Sequence, residues 1–270
     1  MTLLQAFILG IVQGATEFLP ISSSGHLVIV PHLLNWSLVP EQAFIFDVLV
    51  QFGTMIAVLI YFWEDVVAYA KGWFEALIQG KPLATQEARM AWYLIIATLP
   101  AVVIGYLIKD IVVGTFDSVP ATAWFLLGTA VLLLIAEAAG RRERDLEEIT
   151  WRDALWMGLF QALALFPGVS RSGATIAGGM TRNFKRPDAA RFAFLMALPV
   201  MLGASTVAVI DLANSNFVGD ILGPLAVGFV TSAIVGYIAI RWLMRFLTTR
   251  PLYIFSVYCT VIGLVALFTS

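Results

Sequence analysis

Hydrophobic residues run through this chain in long blocks, and the polar positions gather in a few short stretches between them. Crossing a bilayer takes roughly 17–25 predominantly apolar residues. Six blocks meet that length: 44–63, 91–108, 120–138, 190–212, 221–243 and 251–269. Four shorter apolar pieces fall below it, namely 3–12 and 27–34, and 154–166 and 174–180. Each of those pairs is joined by a polar segment rich in Gly, Pro and Ser. The first runs Gln13 to His26, Q-G-A-T-E-F-L-P-I-S-S-S-G-H, and the second Pro167 to Thr175, P-G-V-S-R-S-G-A-T. Non-helical backbone at membrane depth persists only where protein or a wet cavity satisfies it. The pattern therefore predicts two re-entrant helix–loop–helix hairpins, each entering and leaving on one face.

Composition agrees with a membrane setting. The 270 residues are 60% hydrophobic and 13% charged, with a mean hydropathy of +0.89; soluble domains average about 45–50% and about 25%. No basic region precedes the first apolar stretch, which Gln13 and Glu17 interrupt, so no cleavable leader is expected. The single cysteine, Cys259, lies in an apolar run and can form no internal disulfide. With two hairpins and six spans, the loops at 64–90, 139–153, 181–191 and 241–250 share one side. They hold fourteen of the sixteen basic residues; Lys109 is on the other side and Arg171 is inside the second motif. The bias of Lys and Arg toward cytoplasmic loops puts that side in the cytoplasm and both termini outside. The run at 141–152 reads as a solvated linker, and Asp188 and Arg191 as interfacial anchors.

The two halves echo one another. Gly10-Ile11-Val12-Gln13 matches Gly158-Leu159-Phe160-Gln161, and Ser22-Ser23-Ser24-Gly25 lines up with Ser170-Arg171-Ser172-Gly173. Val103-Ile104-Gly105-Tyr106 resembles Ile234-Val235-Gly236-Tyr237. Each half has one hairpin and three spans, an odd number, so the second is inverted relative to the first. The expectation is an all-α polytopic membrane protein, one integral domain over 1–270. Its first repeat is 1–140 and its second 150–270, and the hairpin tips meet near the midplane.

The polar motifs carry the candidate chemistry. Gln13 and Glu17 are four apart and share a helix face. Glu17, Ser23 and His26 within ten residues favour a site over the structural roles of capping or inter-helix bonding that each could play alone. Arg171 needs an anionic partner at membrane depth. Glu17 could supply it, but the flanking Ser170, Ser172 and Thr175, and a helix starting near Gly173, suit a phosphate better. His32 has no such company and reads as structural; Asp47 and Gln51 are second-tier candidates for the same cavity. No H-E-x-x-H, Walker loop or Cys cluster is present.

Both motifs, and the whole length of the chain, resemble the undecaprenyl-diphosphate phosphatase (bacitracin-resistance) family. That resemblance implies a multi-pass hydrolase of the bacterial inner membrane. It would remove the terminal phosphate of a polyprenyl diphosphate lipid, confer bacitracin resistance, and open its site toward the periplasm. By analogy Glu17, Ser23, His26 and Arg171 would be central, with Gln13, Ser22, Ser24, Gly25, Ser170, Ser172, Gly173 and Thr175 on the substrate. A divalent cation, Mg²⁺ or Ca²⁺, would involve Glu17. The family motif carries Glu or Gln where this chain has Gln13, which cannot serve as an acid or charged ligand and leaves that burden on Glu17. Ser23 is the expected nucleophile with His26 as base or leaving-group acid; His26 as nucleophile, oriented by Glu17, is the competing assignment. The implied partners are the lipid and the bilayer, with no nucleic acid and with a homodimer allowed. A flippase for polyprenyl phosphate lipids is the alternative function.

Overall fold

In the computed structural model, residues 1–116, 118–214 and 218–270 are described. Among them the chain is helical throughout, with a lone β-bridge between Arg144 and Phe184 and no strand. The first hairpin is α1 (Leu3–Phe18) and α2 (Ser23–Leu33). It is followed by α3 (Pro40–Tyr61), α4 (Trp63–Ile78), α5 (Gln86–Leu107), α6 (Lys109–Phe116) and α7 (Val119–Ala139). The second hairpin is α8 (Trp151–Leu163) and α9 (Arg171–Thr181), and α10 (Arg186–Asn214), α11 (Val218–Thr249) and α12 (Tyr253–Thr269) complete the chain.

Four helices are long and apolar enough to cross a bilayer: α5, α7, α10 over Arg186–Thr206, and α11 over Ile221–Thr249. The pair α3–α4 qualifies together but bends by 82° at its break, which brings the number to five. The expected sixth span, 251–269, forms α12, whose 17 residues are shorter than the ~20 that usually span. The chain is a polytopic helical membrane protein. Side chains in part of the predicted span 190–212 lie outside the described residues.

Two departures from the sequence expectations have physical causes. The segment 64–90, expected as a loop, contains α4. Its apolar residues recur at helical spacing, Glu64 and Asp65 fall in the first turn where the helix dipole favours acids, and Gly80 at φ 65° ends it. The 141–152 run is only partly a solvated linker. Leu146 and Ile149 are buried in the core, and Arg144 reaches Asp153 at 2.8 Å while lying over the Phe184 ring. Arg191, expected at the interface, pairs with Asp65 through Nε at 2.9 Å.

Helix packing positions the hairpins. In lipid, small residues let backbones approach closely. Helix α1 lies on α11, where a Cβ on Gly10 or Gly14 would meet the carbonyl of Gly228 or Ser232 at 2.8 Å. Helix α8 lies on α5, where a Cβ on Gly158 would meet Ala97 O at 2.5 Å. Both hairpins open with a capping box, Thr2 with Gln5 and Thr150 with Asp153, in which two orphan N–H groups are satisfied reciprocally. Between the hairpins the core is filled by Phe18, Met157, Met180, Phe192 and Phe194, with Phe18 and Phe194 edge to face at 5.4 Å.

Candidate active site

Each hairpin turns on a short non-helical link and restarts from a serine cap. Ser22 caps α2, its Oγ accepting from Gly25 N at 3.2 Å, and Ser170 caps α9, accepting from Gly173 N at 3.0 Å. The two caps differ in backbone. Ser170 is relaxed at φ −68°, whereas Ser22 sits at φ 70°, a conformation L side chains rarely adopt. In the second link Gly168 takes φ 98°, and any Cβ there would run into Thr122 O. The second turn is further fixed by Thr129, whose Oγ1 donates to Gly168 O and accepts from Ser170 N, both at 3.0 Å. The turns touch: a Cβ on Gly25 would lie 3.1 Å from Gly168 Cα.

At this contact the polar side chains of the two hairpins meet. Glu17, only 6% exposed, accepts from Ser23 Oγ at 2.6 Å and from Gln13 Nε2 at 2.9 Å through Oε2, while Arg171 pairs with its Oε1. Ser172 Oγ donates to Leu19 O at 3.1 Å, a second bond between hairpins, and lies 3.1 Å from Ser170 Oγ. Burying one charge would be prohibitive; burying the Glu17–Arg171 pair, hydrogen-bonded at every oxygen, is tolerable. A cavity of about 320 Å³ adjoins the pair. Its polar wall is Glu17, Ser22, Ser23, Ser24, Ser170 and Arg171, joined by Gln51 and Gln161, and its apolar wall includes Leu165, Val169, Val200 and Ala204.

The remaining predicted residues stand behind this wall. Gln13 orients Glu17. Thr175 Oγ1 donates to Arg171 O at 2.7 Å within α9, and Gly25 and Gly173 supply cap N–H groups. Ser170 already occupies the Gly173 N–H, so the cationic group on the cavity wall is the Arg171 guanidinium, itself paired with Glu17. His26 donates or accepts at both ring nitrogens, Nδ1 to Ser22 O at 2.7 Å and Nε2 with Tyr258 OH at 2.8 Å, with the two rings stacked. The carbonyl can only accept, so Nδ1 carries the proton. His26 does not line the cavity, and neither does Asp47. His32 holds Thr269 O at 3.1 Å, a structural bond as expected, and Cys259 is buried.

Sequence reasoning missed Tyr258, since nothing near it in the sequence marks it and 232 residues separate it from His26. It placed Gln161 only as a repeat match. Among the described residues no three His, Cys, Asp or Glu side chains cluster. The carboxylate, hydroxyls and carboxamide oxygens at the cavity do fit a hard cation that shares its remaining ligands with a phosphate-bearing substrate.

The family model described as bacitracin resistance protein BacA matches residues 6–265. A Chlorobium phaeovibrioides protein named undecaprenyl-diphosphatase is 42% identical, over 99% of this chain and 96% of its own length. One of the same name from Thermomicrobium roseum is 41% identical, over 99% and 98%. A third, from Methanosphaera stadtmanae, is 37% identical, over 99% and 98%.

Proposed function

The chain belongs to the bacitracin resistance protein BacA family, and from that premise we propose how its two hairpins work as a phosphatase. It is a membrane enzyme that removes the terminal phosphate of undecaprenyl diphosphate, leaving the monophosphate lipid for cell-wall synthesis and conferring bacitracin resistance. The observation that carries the mechanism is the continuous set Ser23–Glu17–Arg171 on the wall of a cavity that is apolar on its other side.

Arg171 takes the diphosphate oxygens, for which its planar fork is suited. Ser23 gives its proton to Glu17, 2.6 Å away, and its oxygen attacks the terminal phosphorus. The bond to the bridging oxygen breaks, the lipid monophosphate leaves with that electron pair, and Glu17 returns the proton to it. Water then attacks the Ser23 phosphoester, its proton passing to Glu17, and inorganic phosphate is released as the Ser23 oxygen is reprotonated. His26 holds the Ser22–Ser23 turn and is itself oriented by Tyr258, so the base role falls to Glu17. Glu17 would be the protein ligand of a Mg²⁺ or Ca²⁺, which when bound neutralises phosphate charge.

Six spans in two inverted repeats are the reading we favour. The capping boxes, the Gly-x-x-Gln pairs and the serine caps recur at one constant sequence offset. The first helix of each hairpin also packs on the second span of the other half. Basic loops then face the cytoplasm, both termini the periplasm, and the site opens to the periplasm.

Phosphate release from undecaprenyl diphosphate by the purified protein in detergent, with and without EDTA, tests this reading. The expected result is release that EDTA lowers and that leaves a transient phosphoserine at Ser23. A phosphoenzyme trapped at His26 instead would overturn the assignment. The repeat architecture also favours a second reading, a polyprenyl phosphate flippase, which lipid translocation in vesicles without phosphate release would put first.

A further inference from the structure

Gln161 belongs to neither polar motif, and its carboxamide is left half-satisfied at the cavity. The residue is 2% exposed and lines the cavity beside Arg171 and the serines. Its Nε2 donates to Ala97 O at 3.3 Å, and its Oε1 is buried with no donor. The amide cannot be turned around, since Oε1 against a backbone carbonyl would set two acceptors face to face. Helix α5 brings Ala97 O close because α8 carries Gly158 one turn before Gln161, the position where a Cβ would strike that same carbonyl. The close approach, the glycine and the amide orientation form one device, and its product is a buried acceptor left without a donor.

A buried acceptor without a donor is costly and is retained where something fills it. The occupant must bring a hydrogen or a positive charge, and the Mg²⁺ dependence of the variants below separates the two. Phosphate oxygens near Arg171 are themselves acceptors, so they do not qualify; a water molecule does. The corresponding residue of the first hairpin, Gln13, repeats the pattern: its Nε2 is used by Glu17, and its Oε1 is buried without a partner. Gln13 orients the base and does not line the cavity, and Gln51 lines it without an orphaned buried atom, so Gln161 is the lining carboxamide with an unmet buried acceptor.

We propose that Gln161 is a catalytic residue that accepts a hydrogen bond from the water that hydrolyses the Ser23 phosphoester. This rests on the phosphatase reading above. The water donates one O–H to Gln161 Oε1 and the other to Glu17, and its lone pair attacks phosphorus. The bond from phosphorus to the Ser23 oxygen breaks, that oxygen recovers a proton from Glu17, and inorganic phosphate departs. Aligning a nucleophilic water by a glutamine is a recurrent device in phosphoryl transfer.

The test uses full-length protein with undecaprenyl diphosphate over a series of Mg²⁺ concentrations, comparing Gln161→Met, which keeps the volume, with Gln161→Asn, which withdraws the acceptor by one methylene. The expected result is a kcat about 10²-fold lower in both, with KM falling alongside it so that kcat/KM is little changed, and phosphoserine at Ser23 accumulating in rapid-quench samples. A rise in KM at constant kcat would overturn the proposal and make Gln161 a substrate-binding group. So would recovery of kcat on raising Mg²⁺, which would make it a cation ligand. Wild-type rates in Gln161→Asn would also overturn it, and this variant keeps an amide for Ala97 O should Gln161→Met fail to fold. If wild-type protein itself released no phosphate, the phosphatase reading would fall instead.

Discussion

The two hairpins have nearly the same plan and opposite chemistry. Both begin with a capping box, both place a Gly-x-x-Gln on the inner face, and both restart from a serine cap. At the first position of the restarted helix one has Ser23 and the other Arg171. On the proposed mechanism the first would supply the nucleophile and its carboxylate, and the second the cation that holds the phosphate. Their settings differ as well. From Ser172 to Met180, α9 is wholly buried and its turn is relaxed at Ser170, whereas α2 is only partly buried and its turn is strained at Ser22. The second hairpin is thus the fixed jaw, and the strained backbone lies in the hairpin to which the proposed mechanism gives the making and breaking of bonds. Backbone strain is most often found where function requires it.

The sharpest way to break the comparison is to remove the charge unique to each hairpin. Arg171→Ala should lower kcat by about 10³-fold or more, since an arginine on a transferring phosphoryl group is worth that much. Glu17→Ala should fall comparably, while Gln13→Ala, which only orients the base, should cost less; matched losses at Gln13 and Glu17 would contradict this ordering. Next is the fixed jaw itself. Gly168→Ala places a side chain at φ 98° against Thr122 O and should destabilise the protein by about 1–3 kcal/mol, read as a lower thermal midpoint in detergent.

The outer end of the second hairpin titrates. Burial pushes the Asp153 carboxyl up, but hydrogen bonds from Arg144, Arg182 and Thr150 outweigh it and bring it down to about 2. A depressed carboxyl stabilises fully above its unfolded value near 4 and loses that contribution as pH falls toward 2. Asp153→Asn should therefore lower stability by up to about 2 kcal/mol at pH 7, less whatever solvent screens at half-exposed Arg182, and the gap from wild type should close in acid. The smallest expected effect is on the first hairpin. Tyr258→Phe removes one hydrogen bond to His26 and should cost about 0.5–1.5 kcal/mol of barrier, roughly a 2–12-fold drop in kcat.

The sequence made both hairpins legible because polar residues in a long apolar background have few explanations. Glu17, Ser23 and Arg171 stood out for that reason, and the structure places them in contact. Helix α4 was hidden because its charges read as loop when weighed by composition and not by period. Tyr258 and the Ala97 carbonyl were invisible, since their roles depend on where α12 and α5 come to lie. The 82° bend after α3 was equally out of reach. His26 shows the opposite limit: its spacing from Ser23 suggested a base, while its ring partners, Ser22 O and Tyr258, depend on the fold.

The Glu17–Arg171 ion pair has a consequence for affinity. In the resting protein the guanidinium is already occupied by a carboxylate borne on the same chain, so Glu17 acts as a tethered rival to the incoming diphosphate. On the proposed mechanism substrate would bind by displacement, and the carboxylate it frees would be the group that next takes a proton from Ser23. Occupancy of the site and arming of the base would then be one event, keeping the serine quiet while the site holds no lipid.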